Sequence, residues 1–162
     1  MIDKFTLGLA HVRYWEDPNT WTDPAITLDA GGITKFGIAQ RYNPDVDAEL
    51  LTPYDAERIF REKYWEPINL DSLPTAVAVF TFDASVNQGP VTAAKLLQEA
   101  AFVKVDGIVG PKTQEAALSI DLKRFKLLRA KWYAVNSRKR DLEGLFNRLE
   151  AAYEFAKLFW NI

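Results

Sequence analysis

Glu16, Asp29 and Thr34 are the residues whose types and spacing point to acid–base chemistry. Glu16 follows Trp15 at the predicted end of a helix. Downstream, Asp29-Ala30-Gly31-Gly32-Ile33-Thr34 puts a second carboxylate and a hydroxyl on a glycine-rich turn. Cutting a glycosidic bond takes a carboxylic acid to protonate the leaving oxygen. It usually also takes a second carboxylate as base or nucleophile. Glu16 meets the first need if it lies against the Trp15 ring, where desolvation favours the protonated form. Asp29 and Thr34 meet the second if a hairpin turns both into a cleft around a water. Each residue also has a plainer reading. Glu16 would be a solvated residue at a helix end, since most glutamates are exposed. Asp29 would close a turn by bonding its own backbone, and Thr34 would be an ordinary strand residue. Asp23, ahead of Pro24, reads as a turn residue and a reserve carboxylate.

The elements that must hold these residues are mostly helical. Phe5, Leu9, Val12 and Trp15 fall at helical spacing, which predicts a helix over 3–15 ending near Glu16. Pro18 and Pro24 prevent its continuation. Residues 17–37 read as loop with a short β-hairpin, in which Gly31-Gly32 permits a positive-φ turn and Ile26, Ile33 and Ile38 are strand candidates. Thr52-Pro53-Tyr54-Asp55 is a helix start, with Thr52 as N-cap and Pro53 at the first position. Ile59, Phe60 and Tyr64 give that helix an apolar face, and Pro67 stops it.

The run Val77, Val79, Phe80, Phe82, Ala84, Val86 is apolar on nearly all sides, so the helix starting at Pro74-Thr75 is predicted to be central and buried. Gly89-Pro90 breaks it, and a helix resumes over 91–101. Asp106 to Pro111 is a turn, and Pro111 opens a short helix. Phe125, Leu128, Trp132 and Val135 line a helix over 121–136. Leu142, Leu145, Leu149, Ala152, Ala156 and Phe159 line the last one. The expected fold class is mainly α with one small β-hairpin beside the site.

Composition excludes several function classes. The 162 residues suit one compact domain, and 48% apolar content is that of a folded chain. There is no cysteine, which rules out thiol catalysis and Cys-ligated zinc, and His11 is the only histidine. A multi-histidine metal site is therefore excluded, no nucleophile elbow is present for a Ser-His-Asp hydrolase, and no metal or cofactor is expected. A net charge of −2 gives no basis for nucleic-acid binding. No segment reaches the roughly 20 apolar residues of a membrane span, and the polar opening Met1-Ile2-Asp3-Lys4 is not that of a signal peptide. No heptad or exposed apolar stripe argues for an oligomer, so a monomer is expected.

Several ordered motifs resemble glycoside hydrolase family 108, the phage and prophage muramidases of lysozyme-like fold. Thr22-Asp23-Pro24 is similar to the family's Asn-Asp-Pro element, and Asp29 to Ile38 to its Asp, two glycines, Thr and Gly-Ile. Tyr64-Trp65, Phe82-Asp83-Ala84-Ser85-Val86-Asn87-Gln88-Gly89, and the closing Asn147-Arg148 also resemble family elements in order. The turn from Val105 to Thr113 resembles a companion peptidoglycan-binding-type segment. Two departures stand near Glu16: Asp17-Pro18 replace the family's Gly-Gly, and the interval to Asp29 is longer.

The resemblance implies one lysozyme-like domain over 1–162. Residues 1–90 would be the catalytic region, and 91–162 a peptidoglycan-binding-type helical region packed onto it. It implies an N-acetylmuramidase acting on peptidoglycan glycan strands, with Glu16 as general acid and Asp29 and Thr34 holding the water. Trp21, Asn87 and Gln88 are the candidate sugar contacts. Helix capping is the alternative for Asn87, and core packing for Trp21 and Trp65. His11 reads as structural. The implied setting is a phage endolysin, made in the host cytoplasm without a signal peptide and released to the wall by a holin. A lytic transglycosylase, or a non-catalytic wall-binding protein of the same fold, are the alternatives.

Overall fold

A computed structural model describes residues 3–16, 27–29 and 32–160, with only the backbone described for 27–29. Its helices are α1 (Lys4–Glu16), α2 (Pro53–Phe60), α3 (Thr75–Gln88), α4 (Pro90–Ala100), α5 (Pro111–Ala117), α6 (Leu122–Asn136) and α7 (Leu142–Lys157). Its strands are β1 (Thr27–Asp29), β2 (Gly32–Lys35) and β3 (Ile38–Ala39). The chain is mainly α, as the periodicity predicts.

The predicted hairpin forms and gains a third strand. β1 pairs antiparallel with β2, placing Thr27 opposite Thr34 and Asp29 opposite Gly32. β2 then pairs antiparallel with β3, placing Thr34 opposite Ala39. Gly32 has φ +89°, the left-handed backbone that a tight turn needs and that a side chain resists. Of the strand candidates, Ile33 and Ile38 lie in β2 and β3, while Ile26 falls outside the described residues.

Local chemistry sets the helix ends. The Thr52 hydroxyl accepts from the Asp55 amide, and the Asp55 carboxylate accepts from the Thr52 amide, closing a capping box ahead of α2. α2 does not run unbroken to Pro67. It widens into a π turn over Arg61–Trp65 and tightens into a 3-10 turn over Glu66–Ile68. Ser85 Oγ donates to the Tyr64 carbonyl at 2.7 Å, fixing this widened turn onto α3. Trp65 then points inward, fully buried, edge-on to Phe5 at 5.4 Å and to Phe82 at 5.2 Å. Core packing is thus the reading that holds for Trp65.

α3 is the central helix, and Ala76 through Ser85 are all buried. α1, α4 and α7 pack around it. The crossing of α1 over α3 is close: a Cβ on Gly8 would lie 2.9 Å from Phe82 Cδ1. The core built on α3 is continuous from Phe5 in α1 to Ala156 in α7. A carboxylate, Asp83, sits in the middle of this apolar helix, and the partners it requires come from α6 and α7.

Candidate active site

A cleft of about 340 Å³ opens where the end of α1 meets the small sheet and the π turn. Glu16, Thr34, Gly37, Asn43, Tyr64 and Val86 are among the residues that line it. Two predicted site residues, Glu16 and Thr34, therefore share one cavity although they lie on different elements.

Glu16 is the last residue of α1, with a side chain 23% exposed. Its Oε1 accepts a hydrogen bond from Arg148 Nη1 at 2.5 Å, in an ion pair that reaches across from α7. Its other oxygen, Oε2, lies beside the Gly37 turn. A Cβ on Gly37 would come within 2.7 Å of Glu16 Cβ and 3.2 Å of Oε2. Gly37 also has φ +75°. Both the backbone and the approach of Glu16 therefore require glycine here.

Thr34 lies mid-strand in β2. Its Oγ1 is buried and has no hydrogen-bond partner among the described residues. A buried hydroxyl left unpaired costs about 1–3 kcal/mol, so the site gains when a water or ligand hydroxyl meets it. Asp29 pairs with Gly32 across the ribbon, two residues along β1 from the Thr27–Thr34 pair. Strand alternation thus assigns Asp29 and Thr34 to the same set of ribbon positions. The side chain of Asp29 lies outside the described residues, as do Asp17, Pro18, Trp21, Asp23 and Pro24 entirely.

Tyr64 enters the cleft from the π turn. Burial first, and the Glu16 charge second, push its phenol above the ordinary value. The hydroxyl stays neutral and able to donate. Asn43, at the cleft edge, is held on both sides of its amide. Its Nδ2 donates to the Ala39 carbonyl at 2.8 Å, and its Oδ1 accepts from Lys63 Nζ at 2.6 Å.

Asn87 and Gln88 are not among the cleft-lining residues. Asn87 Oδ1 accepts from the Tyr133 hydroxyl at 2.6 Å, and Gln88 Oε1 accepts from Arg129 Nε at 2.9 Å. Both are tied to α6.

Beneath Glu16 runs a buried ionic network that the sequence reading did not assign. Arg148 Nε donates to Asp83 Oδ1 at 2.8 Å, and Arg129 Nη2 donates to Asp83 Oδ2 at 2.6 Å. Burial alone would push the Asp83 carboxyl up, but Arg148 and Arg129 outweigh it and hold the group at about 2. His11 stacks on Phe155 at 5.1 Å with its Nε2 3.7 Å from Asp83, a structural place. Burial pulls its imidazole below the ordinary 6.5, and Asp83 offsets part of that.

No helix of the described residues is long and apolar enough to cross a membrane. Residues 20–89 match the model of the glycosyl hydrolase 108 family. A solved structure of Brucella abortus SagA is similar along nearly the whole length. It has a TM-score of 0.80 and 26% identity, over 98% of this chain and 96% of that one. No curated protein matches the sequence. The matched segment contains Thr34, Tyr64 and Asp83 of the site, and the likeness to SagA extends over the helices that carry Glu16 and Arg148. The chain carries a glycosyl hydrolase 108 segment over residues 20–89 and is a glycoside hydrolase of lysozyme-like, mainly α fold.

Proposed function

We propose that the enzyme is an N-acetylmuramidase, hydrolysing the β-1,4 bond between N-acetylmuramic acid and N-acetylglucosamine. The observation that carries this reading is the cleft shared by Glu16 and the Thr34 hydroxyl, which has no partner among the described residues. Arg148 occupies Oε1 of Glu16, so the proton passes from Oε2 to the glycosidic oxygen. The C1–O bond breaks with its electron pair on that oxygen. A water held by Thr34 and Asp29 attacks C1 and gives its proton to the Asp29 carboxylate. Trp21 is our candidate platform for a sugar face.

Attack by a held water inverts the anomeric carbon. Digestion of purified peptidoglycan is therefore expected to release reducing N-acetylmuramic acid ends, with the α-anomer first in a proton NMR time course. Ends in 1,6-anhydromuramic acid would instead establish a transglycosylase, and reducing N-acetylglucosamine ends would place the cut at the other bond.

The resemblance to phage muramidases supports a role as an endolysin that a separate holin passes to the wall. We further propose that the enzyme is a monomer and that 91–162 is a helical region docked on a catalytic region over 1–90. In cells expressing the chain, the endolysin role requires lysis when a holin is co-expressed and none without it. Equal lysis in both cultures would contradict it.

A further inference from the structure

We propose that Arg148 is a positioning residue for hydrolysis, acting through Glu16, so that α7 completes a catalytic site whose other parts lie on α1 and the sheet. The inference rests on the reading of Glu16 as the acid. Neither Glu16 nor Arg148 falls within the matched segment 20–89.

The geometry is that of a bridge. One edge of the Arg148 guanidinium, Nε, is fixed on Asp83 at 2.8 Å, and Nη1 holds Glu16 at 2.5 Å. The anchor is itself anchored: Asp83 is held by Arg129, whose other donors reach Gln88 Oε1 and the Phe80 carbonyl. The side chains of Arg148 and Asp83 are 8% and 1% exposed, so water does not loosen either end. Burial pulls the Arg148 pKa down, but Asp83 and Glu16 outweigh it, so the guanidinium stays charged. It exchanges no proton in the reaction.

Two needs explain why a cation stands there. Glu16 ends α1, where the helix carbonyls already present partial negative charge and disfavour a carboxylate. Proton donation then leaves a full negative charge on Glu16. A donor fixed in advance at the place where charge develops lowers that barrier without reorganising. The planar guanidinium presents its donors in a rigid fork that fixes both carboxylates in one geometry. A lysine ammonium supplies the charge and three donors, but from one compact atom on a flexible stem, and so does not hold Glu16 in the same place.

The test uses Arg148→Met and Arg148→Lys in the full chain, assayed on soluble glycan strands well below each variant's melting temperature, beside Glu16→Gln. The bridge predicts that Arg148→Met lowers kcat about 100-fold with KM within about twofold of wild type. Arg148→Lys is expected to keep the wild-type KM but not the wild-type kcat, and it decides the matter should the Met variant fail to fold. A kcat near wild type in either folded variant would overturn the proposal. So would a loss that follows only the folded fraction, or one that raises KM with kcat unchanged. Wild-type activity in Glu16→Gln would instead remove the reading of Glu16 on which the proposal stands.

Discussion

Asp83→Asn is expected to destabilise the protein by about 3–5 kcal/mol, the range for a buried ion pair that loses one partner. The substitution preserves size and removes a carboxylate that Arg129 and Arg148 share. Arg129 is fully buried and Arg148 nearly so, so neither guanidinium can recover the loss in water. For a chain of 162 residues this corresponds to a fall in melting temperature of roughly 6–20 °C. Calorimetry decides it, and an unchanged melting temperature would mean that the network carries no stability.

The same carboxylate gives stability a defined pH dependence. Asp83 binds its proton at about 2 in the folded state and at an ordinary 3.8 when unfolded. The unfolded state therefore binds more protons between those values, and stability falls as pH falls through them. The contribution, about 2–3 kcal/mol, is complete above roughly pH 5 and lost near pH 2. His11 adds a loss of the same sign at higher pH. Its folded form resists protonation, whereas the unfolded imidazole takes a proton below about 6.5. Two steps are expected in a plot of unfolding free energy against pH, the first below about 6.5 and the second between about 4 and 2. In Asp83→Asn the second step should be much smaller.

Much of the fold is legible where the chain carries explicit stop and start chemistry. Thr52-Pro53, Gly89-Pro90 and Pro111 mark helix boundaries that the structure keeps. β3 is only two residues long and offers no period to read, so Ile38 showed as a strand candidate but not as a separate third strand. The π turn at Arg61–Trp65 was hidden as well, because its residues continue a helical pattern and only their contacts with α3 widen it.

The site divides in a similar way. Glu16 and Thr34 were candidates by residue type and by the family resemblance, and they share a cleft. Arg148 was noted only within the closing Asn147-Arg148 motif and given no role, because it lies 132 residues from Glu16 and nothing local links the two. A signal did exist. Asp83 interrupts an otherwise apolar buried helix, and a carboxylate there cannot remain without cations. That requirement points to arginines on helices that pack against it, which are Arg129 and Arg148. Asn87 and Gln88 look like sugar contacts in a linear motif, but the turn of α3 presents them to Arg129 and Tyr133.

Glu16→Gln is expected to abolish hydrolysis while leaving the fold intact. The amide keeps the length of the side chain and can still accept from Arg148. It has no proton to give to the leaving oxygen, and general acid catalysis is worth about 10²–10⁴-fold. The cost in stability should be small, because Asp83 still holds Arg148 from its other edge. The most direct measurement is the rate of reducing-end release from purified peptidoglycan by this variant, taken at equal folded concentration with wild type. A rate lower by at least about 100-fold, with the melting temperature within a few degrees of wild type, is the result predicted here. A rate equal to wild type would contradict the assignment of Glu16 as the acid and move the chemistry to another carboxylate.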